Sequence, residues 1–426
     1  MKKFITLAKK IYPINRSITG KGVVKTLKII KTSHLPKLKI KKIRSGTSVY
    51  DWKIPPEWNI KNAFIKDESG KKIIDYKKNN LHIVSYSKKI NKYVGKEELN
   101  EHLFSIPKKP KAIPYVTSYY KTFWGFCLSH QERKKIKGKK FFVHINSNFN
   151  NKGFLSYGEL YLKGKSSKEI LITTYVCHPS MANDEVSGPV VATFVAKYFK
   201  NLKNKYSLRF IFIPETIGAI AYIHKHCEKL KKNIIASYCL SCIGDNRNYS
   251  IILSKYGNAL SDSTALEALK NLKIKYKKYS FLHRGSDERQ FNSPGIEIPM
   301  TVISRTKFGN YPEYHTSLDN FEVVTEKGLK GGFKVVKKII DLFQSKIIPV
   351  STVVCEPMLS KRKLYPTTST LRKNQIHQNE KNILHFMSYS DGKNDLERIS
   401  TLINLPINKV TKIFKFLVKR NLISEL

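Results

Sequence analysis

The chain has 426 residues, with 78 Lys and Arg against 32 Asp and Glu, a formal net charge of +46, and 41% hydrophobic and 11% aromatic content. That apolar fraction excludes a disordered or fibrous polypeptide, and no apolar run approaches the roughly 18 residues of a transmembrane segment. The six cysteines, at 127, 177, 227, 239, 242 and 355, lack the regular spacing of a disulfide-stapled secreted domain.

In chain order, the opening MKKFITLAKKIYPINRS begins with lysines, but Lys9 and Lys10 break its apolar stretch and no small-residue cleavage site follows. A cytoplasmic protein is expected rather than an exported one. Residues 1–45 hold 14 Lys or Arg and no Asp or Glu. If exposed, that charge would attract polyanions such as nucleic acid, anionic lipid or acidic glycan; the other reading is a solvated lysine surface. Residues 1–44 are expected to form an N-terminal helical part of a larger domain, with Val24, Leu27, Lys28 and Lys31 in a helical segment after Gly20 and Gly22. From 45 to 154 short alternating stretches such as LHIVSYS (81–87) and KFFVHINS (140–147), separated by Pro, Gly and Asn turns, predict a small inserted β-rich domain.

Residues 155–346 switch to apolar strands alternating with helix-length segments: EILITTYV (169–176), VVATFVAKYFKNL (190–202), LRFIFIP (208–214), IIASYCLSCIG (234–244), STALEALKNL (263–272) and IPMTVIS (298–304). This alternation predicts an α/β fold, a mostly parallel sheet covered by helices on both faces. Cys239 and Cys242 lie inside one of these apolar runs and read as a reduced core pair, not a redox or zinc motif. Residues 347–378 read as a linker. Residues 379–426 read as a winged-helix or helix-turn-helix unit of three amphipathic helices, the last opened by Pro406 and Asn408.

In an open α/β sheet, functional groups gather at the carboxyl ends of the strands. His178 and Asp184 follow the first strand of the run, Glu215 follows LRFIFIP, Asp245 follows SYCLSCIG, and His315 and Asp319 follow the last. Neutral imidazole and carboxylate oxygen suit zinc, and a catalytic zinc takes three protein ligands plus a water. His178, Asp184 and His315 supply that set from two loops, and Glu215 is placed as the carboxylate that moves a proton. The other reading of Glu215 is an acid favoured at a helix N-terminus.

IYPINRSITGKG (11–22), SGTSVYDWKIPPEWNI (45–60), IPYVTSYYKTFWGFC (113–127), CHPSMANDEVSG (177–188), GSDERQFNSPG (285–295) and YPEYHTSLDN (311–320) together resemble a family. It is the zinc-dependent aminopeptidases of phosphorylase/hydrolase-like fold, and within them the bacterial aminopeptidase-like proteins associated with surface-polysaccharide biosynthesis. The resemblance implies a mixed sheet flanked by helices, a small β-rich insert and a C-terminal winged helix. It implies that Asp184 occupies the place of the metal-bridging aspartate, His315 that of a late histidine ligand and Glu215 that of the base. Thr216 and Ser241 then stand where a two-metal site has a glutamate and an aspartate, so one Zn²⁺ per chain is expected. Asp287, in a segment that lines the family's pocket, would orient His315 or receive a substrate amine; Tyr314 and Arg16 are further substrate-binding candidates.

The function expected is zinc-dependent hydrolysis of an amide in a small peptide or an acylamino sugar, in surface-polysaccharide biosynthesis or modification. One alternative is a ligand-sensing or DNA-binding regulator with a hydrolase-like domain. Residues 381–426 carry eight basic and four acidic residues, so the excess charge is not concentrated there. Another is acyl transfer at a single zinc, of the glutaminyl-cyclase type. A homo-oligomer is compatible with all three. Nucleophile-elbow, phosphate-loop and dinucleotide motifs are missing from the sequence.

Overall fold

A computed structural model of the chain describes residues 3–364 and 375–426. An eight-stranded mixed sheet organises it, in the order Lys39–Arg44, Phe154–Leu162, Tyr206–Ile213, Ser166–Tyr175, Ile234–Leu240, Met300–Ser304, Ser250–Ile252 and Lys277–Tyr279. Only the four strands Tyr206–Ile213, Ser166–Tyr175, Ile234–Leu240 and Met300–Ser304 form a continuous parallel core. Antiparallel pairings join the strands outside it, and one further parallel pair, 250–252 with 277–279, closes an edge. The sheet is therefore mixed and flanked by helices, as the family resemblance implies, where alternating strands and helices by themselves predicted a mostly parallel one. The segment before residue 45 also differs from a purely helical one: after the helices Lys3–Ile11 and Lys21–Ser33, residues 39–44 supply an edge strand.

Strand alternation splits the core between the two faces of the sheet. Ile170 and Ile172 point into one cluster, with the helices Ser187–Phe199, Leu260–Asn271 and Glu326–Ser345 and both N-terminal helices. Leu171 and Tyr175 point into the other, with the helix Ile217–Asn233 and residues of the small sheet such as Trp58, Phe141 and Ile145. Phe4, Leu7, Ala8 and Ile11 bury one side of the first helix, while Lys9 and Lys10 stay exposed. Lys3, Lys9 and Lys10 thus lie on the exposed side of an amphipathic core helix.

The small sheet is antiparallel, ordered Lys72–Asp75, Glu57–Lys66, Lys140–Asn150 and Ile90–Gly95. Residues 81–87, with the pattern of a strand, instead form a 3₁₀ turn at Asn80–His82 followed by single bridges from Ile83 and Ser85. Tyr86, at φ 68°, ends any extended run there.

At the C-terminal end, Ile383, Phe386, Leu396, Ile399, Val410 and Leu417 bury into a separate small cluster. It is formed by the helices Gln375–Ser388, Leu396–Leu402 and Ile407–Val418 and a two-stranded pairing of Pro349–Ser351 with Ile423–Glu425. Pro406 precedes the last helix, as expected. Of the expected linker, residues 349–351 are a strand of this unit, and residues 365–374 lie outside the described residues. Among the described residues no helix is long and apolar enough to cross a membrane.

Candidate active site

The site forms where the parallel strands end. After the Ser166–Tyr175 strand the chain presents Cys177 and His178, then makes an irregular turn over Ala182–Val186 before the helix Ser187–Phe199. Asp184, at φ −109° and ψ 75°, leaves helical geometry within that turn. Two contacts explain why the following residues are Ser and Gly. Ser187 Oγ donates to the Asn183 carbonyl at 2.6 Å and accepts from the Ile243 amide at 2.9 Å, tying the turn to the neighbouring strand-end loop. A Cβ on Gly188 would lie 2.2 Å from Thr174 Oγ1 and 2.7 Å from the Leu240 carbonyl, so the helix could not approach the sheet so closely.

Asp319 fixes the turn from the other side. Its carboxylate accepts the Asn183 amide at 2.7 Å, the Asp184 amide at 2.9 Å and the Tyr311 hydroxyl at 3.0 Å. Burial pushes the Asp319 carboxyl up to about 7, although those two amides favour its ionised form.

Three side chains converge here. His178, Asp184 and His315 present ligand atoms that all lie within 4.8 Å of one another. His315 Nε2 comes within 2.9 Å of Asp184 Oδ2, and the His178 and His315 rings are 5.6 Å apart between centroids. Asp184 is 1% exposed, and its Oδ2 is a buried atom with no hydrogen bond of ordinary geometry. Its Oδ1, by contrast, accepts the Tyr175 hydroxyl, which also bonds Ser241 Oγ at 2.7 Å. Burial opposes ionisation of Asp184, but the imidazoles of His178 and His315 outweigh it and hold the carboxyl down at about 2. For His178, burial disfavours the charged form, yet Cys177, Asp184 and Glu185 together push its pKa well above the ordinary value.

Two imidazoles around an ionised, half-unsatisfied buried carboxylate are a donor set that fits a divalent cation accepting nitrogen and oxygen. The second group of ligand-type residues, Cys177, His178 and Glu185, does not pass the same test. Glu185 is saturated: it accepts the Cys177 amide, the His178 amide at 2.5 Å and Arg16 Nε at 2.6 Å. His178 Nδ1 faces this carboxylate at 3.4 Å, while Nε2 faces Glu215 at 3.7 Å.

Glu215 follows the Tyr206–Ile213 strand and lines a cavity of about 390 Å³ that also reaches Tyr115, His178, Thr216 and His315. Burial raises its carboxyl pKa; His178 opposes the shift and Asp184 reinforces it. Thr216 beside it has φ 60° and ψ −82°, a conformation a β-branched residue rarely adopts. It is held by two contacts: its amide donates to Asp287 Oδ1 at 2.9 Å, and Arg289 donates to its Oγ1 at 2.8 Å.

The other expected site residues fall as follows. Asp287 is fully buried; its Oδ1 accepts the Thr216 amide and so braces the Glu215 turn, while its Oδ2 has no hydrogen bond. Arg16 is 1% exposed, with its guanidinium on Glu185 and on the Ile11 carbonyl at 2.5 Å. It supports the His178 loop from behind and is closed to substrate. Tyr314 stacks on His315 at 4.0 Å. Asp245 turns to the Thr306 amide at 2.8 Å and hydroxyl at 2.7 Å, away from the metal-type ligands. Cys239 and Cys242 are free, buried thiols.

Sequence reasoning missed the roles of Glu185, Tyr175 and Tyr115. A buried Arg needs a carboxylate, so Arg16 was a signal for Glu185, but the partners lie 169 residues apart. Tyr115 comes from the segment between the small sheet's strands; its amide donates to the His315 carbonyl at 2.9 Å and its ring lies 5.1 Å from His178. The residues between the small sheet's strands therefore help build the site.

The fold defines an aminopeptidase-like α/β domain. Over 80% of the chain it matches BSAP, a zinc aminopeptidase from Bacillus subtilis, covering 94% of that chain at 13% identity and a TM-score of 0.56. A protein of Clostridium acetobutylicum, named as a polysaccharide biosynthesis protein with an aminopeptidase-like domain, is 40% identical over 391 residues, 92% of this chain and 88% of that one. A crystal structure from the same species, named as that of a peptidase, is 37% identical, covers 100% of this chain and 96% of its own, and has a TM-score of 0.80. Residues 5–346 match the domain of unknown function DUF4910, and residues 347–425 match a winged helix-turn-helix family. The chain belongs to the DUF4910 family of aminopeptidase-like proteins and carries a C-terminal winged helix.

Proposed function

We propose that the chain is a zinc-dependent amide hydrolase, with His178, Asp184 and His315 as zinc ligands and Glu215 as general base. The observation that carries this reading is the buried Asp184 Oδ2, which faces His315 Nε2 at 2.9 Å without a hydrogen bond of ordinary geometry, beside the Glu215 carboxyl in the wall of the cavity. Zinc bound there would supply Lewis acidity, polarising a carbonyl and easing loss of a proton from water.

The chain's own residues account for the proton. Glu215 takes it from the attacking water as oxygen bonds to the carbonyl carbon, and returns it to nitrogen as the C–N bond breaks. Its raised pKa suits it to both transfers. Glu185 and Arg16 behind His178 keep Nδ1 engaged and leave Nε2 toward the cavity. Tyr314 and Tyr115 pack against the His315 ring and fix its plane.

One zinc per chain is the stoichiometry we infer. Asp184 Oδ1, which a second metal would need, is taken by the Tyr175 hydroxyl, and Thr216 and Ser241 offer only neutral hydroxyls there. Elemental analysis of the purified protein tests the count: one equivalent surviving dialysis is expected, and two tightly held equivalents would refute it. Activity is tested on a library of aminoacyl amides and acylamino sugars, where release of free amine is expected from the zinc-loaded chain.

A further inference from the structure

The mouth of the cavity carries a second feature. The hairpin of Ser48–Val49 and Trp52–Lys53 places Tyr50 and Trp52 at the surface, and Tyr120 stands beside them. Trp52 is 42% exposed and Tyr50 and Tyr120 are each 54% exposed, while the other two tryptophans, Trp58 and Trp124, are buried. These rings are fixed in place. Trp52 and Tyr120 meet edge to face at 6.0 Å, the Tyr120 hydroxyl donates to the Lys53 carbonyl at 2.9 Å, and Tyr50 rests on His224 at 4.8 Å. Tyr50 and Tyr120 have φ values of 53° and 63°, unfavourable for aromatic residues and of the kind that clusters at binding sites.

Trp52 also lines a neighbouring cavity of about 490 Å³, so this residue borders both the catalytic cavity and a second, outer lobe. The outer lobe holds Asp51, Glu228, Lys231 and Gln290. Among the described residues none of these four side chains forms a hydrogen bond or ion pair within the protein.

We propose that this mouth is a carbohydrate subsite, with Trp52 and Tyr120 stacking on a sugar ring and the outer lobe bonding its hydroxyls. Its role as a subsite for substrate rests on the hydrolase reading; its capacity to bind sugar does not. A pyranose ring is the ligand whose two aspects match the two halves of the site. Its C–H face suits the electron-rich face of an aromatic ring, and its hydroxyls are donors and acceptors for carboxylate, amide and ammonium side chains. A peptide's apolar side chain in the same place would strip water from four polar groups and give them no partner. The substrate class that follows is an amide borne on a saccharide, with the sugar at the mouth and the amide carbonyl facing Glu215.

The test uses the full-length protein and two defined probes, the trisaccharides of N-acetylglucosamine and of glucose, with trialanine as the peptide comparison. At least one trisaccharide should bind at millimolar concentration by calorimetry and shield the single exposed tryptophan from acrylamide quenching, a readout that needs no variant. Trp52→Ala and Tyr120→Ala should each weaken that binding by about tenfold or more, with circular dichroism unchanged. Chelator-treated protein should bind the sugar as the untreated protein does. If neither trisaccharide binds, or if trialanine binds and Trp52→Ala abolishes that binding, the proposal is overturned. Sugar binding without turnover of any amide would overturn the hydrolase reading and leave the platform standing; turnover without sugar binding would do the reverse.

Discussion

Two clusters of charge are buried at opposite ends of the same sheet, and they are built differently. Near the strand starts, Arg209 engages Glu169 with Nε at 2.5 Å and its terminal nitrogen at 2.8 Å, and reaches Glu159 as well; Glu159 also accepts from Lys41 and, at 2.7 Å, from the Tyr222 hydroxyl. Every charge there meets its opposite. At the strand ends, Asp184 keeps an oxygen without a hydrogen bond, the Glu215 carboxyl is raised by burial, and Thr216 and His315 sit at positive φ. Burial of charge by itself therefore does not mark a site. What separates the two clusters is unsatisfied capacity, which a saturated ionic cluster lacks and a ligand-binding one must retain.

The sharpest way to break this comparison is a pair of substitutions at the unsatisfied end. Glu215→Gln should keep zinc and fold but lose roughly two to four orders of magnitude in turnover, the usual worth of positioned acid–base catalysis. His178→Ala should instead release the metal, since two protein ligands make a weak site. Metal content and turnover measured on both variants check this; loss of zinc from Glu215→Gln would make Glu215 a ligand.

The saturated end should respond in stability alone. Arg209→Met leaves Glu159 and Glu169 buried without their shared cation and should cost about 3–5 kcal/mol, read as a lower denaturant midpoint. Metal content per folded chain should be unchanged.

The saturated end also has a definite pH response. Burial alone would raise the Glu159 carboxyl, but Lys41, Tyr222 and Arg209 outweigh it and bring it down from 4.5 to about 2. A carboxyl depressed in the folded state stabilises above its unfolded pKa and loses that contribution as pH falls through the folded one. Unfolding followed between pH 4.5 and 2 should show stability falling with acid, and Glu159→Gln should flatten that part of the profile.

The smallest effect is expected at the seam with the winged helix. Lys346 Nζ lies 2.5 Å from Asp395 and 2.7 Å from Glu267, joining the C-terminal unit to the Leu260–Asn271 helix. Lys346→Met should cost about 1–3 kcal/mol by leaving Asp395 poorly satisfied, and limited proteolysis should then release the C-terminal unit faster.

Much of this was legible along the chain because the signals are local. Apolar runs such as 169–176 and 208–214 specify strands wherever they occur, the 3.6-residue spacing of Val410, Phe414 and Leu417 specifies a helix face, and polar residues placed just after strands gather on one rim. His178, Asp184, Glu215 and His315 could be singled out on that ground. Residues 81–87 differ because alternation implies one exposed face, whereas here every residue is buried and the polar ones are satisfied inside, His82 Nδ1 against the Cys127 carbonyl and Ser87 Oγ on the Val84 carbonyl.

Only the tertiary structure decided what each polar residue spends its hydrogen bonds on. Arg16 and Asp287 carry the residue types of substrate contacts, yet Arg16 is buried against Glu185, and Asp287 is fully buried with one carboxylate oxygen on the Thr216 amide. Asp184 presents one oxygen to the imidazoles because Tyr175, nine residues earlier, takes the other. The sequence by itself determined the elements, their order and the chemistry available at the strand ends, since these follow from periodicity and residue type. Which donors remain free to hold a ligand depends on contacts between segments such as 16 and 185, whose distance along the chain leaves no periodic trace, and that was settled only when the chain closed on itself.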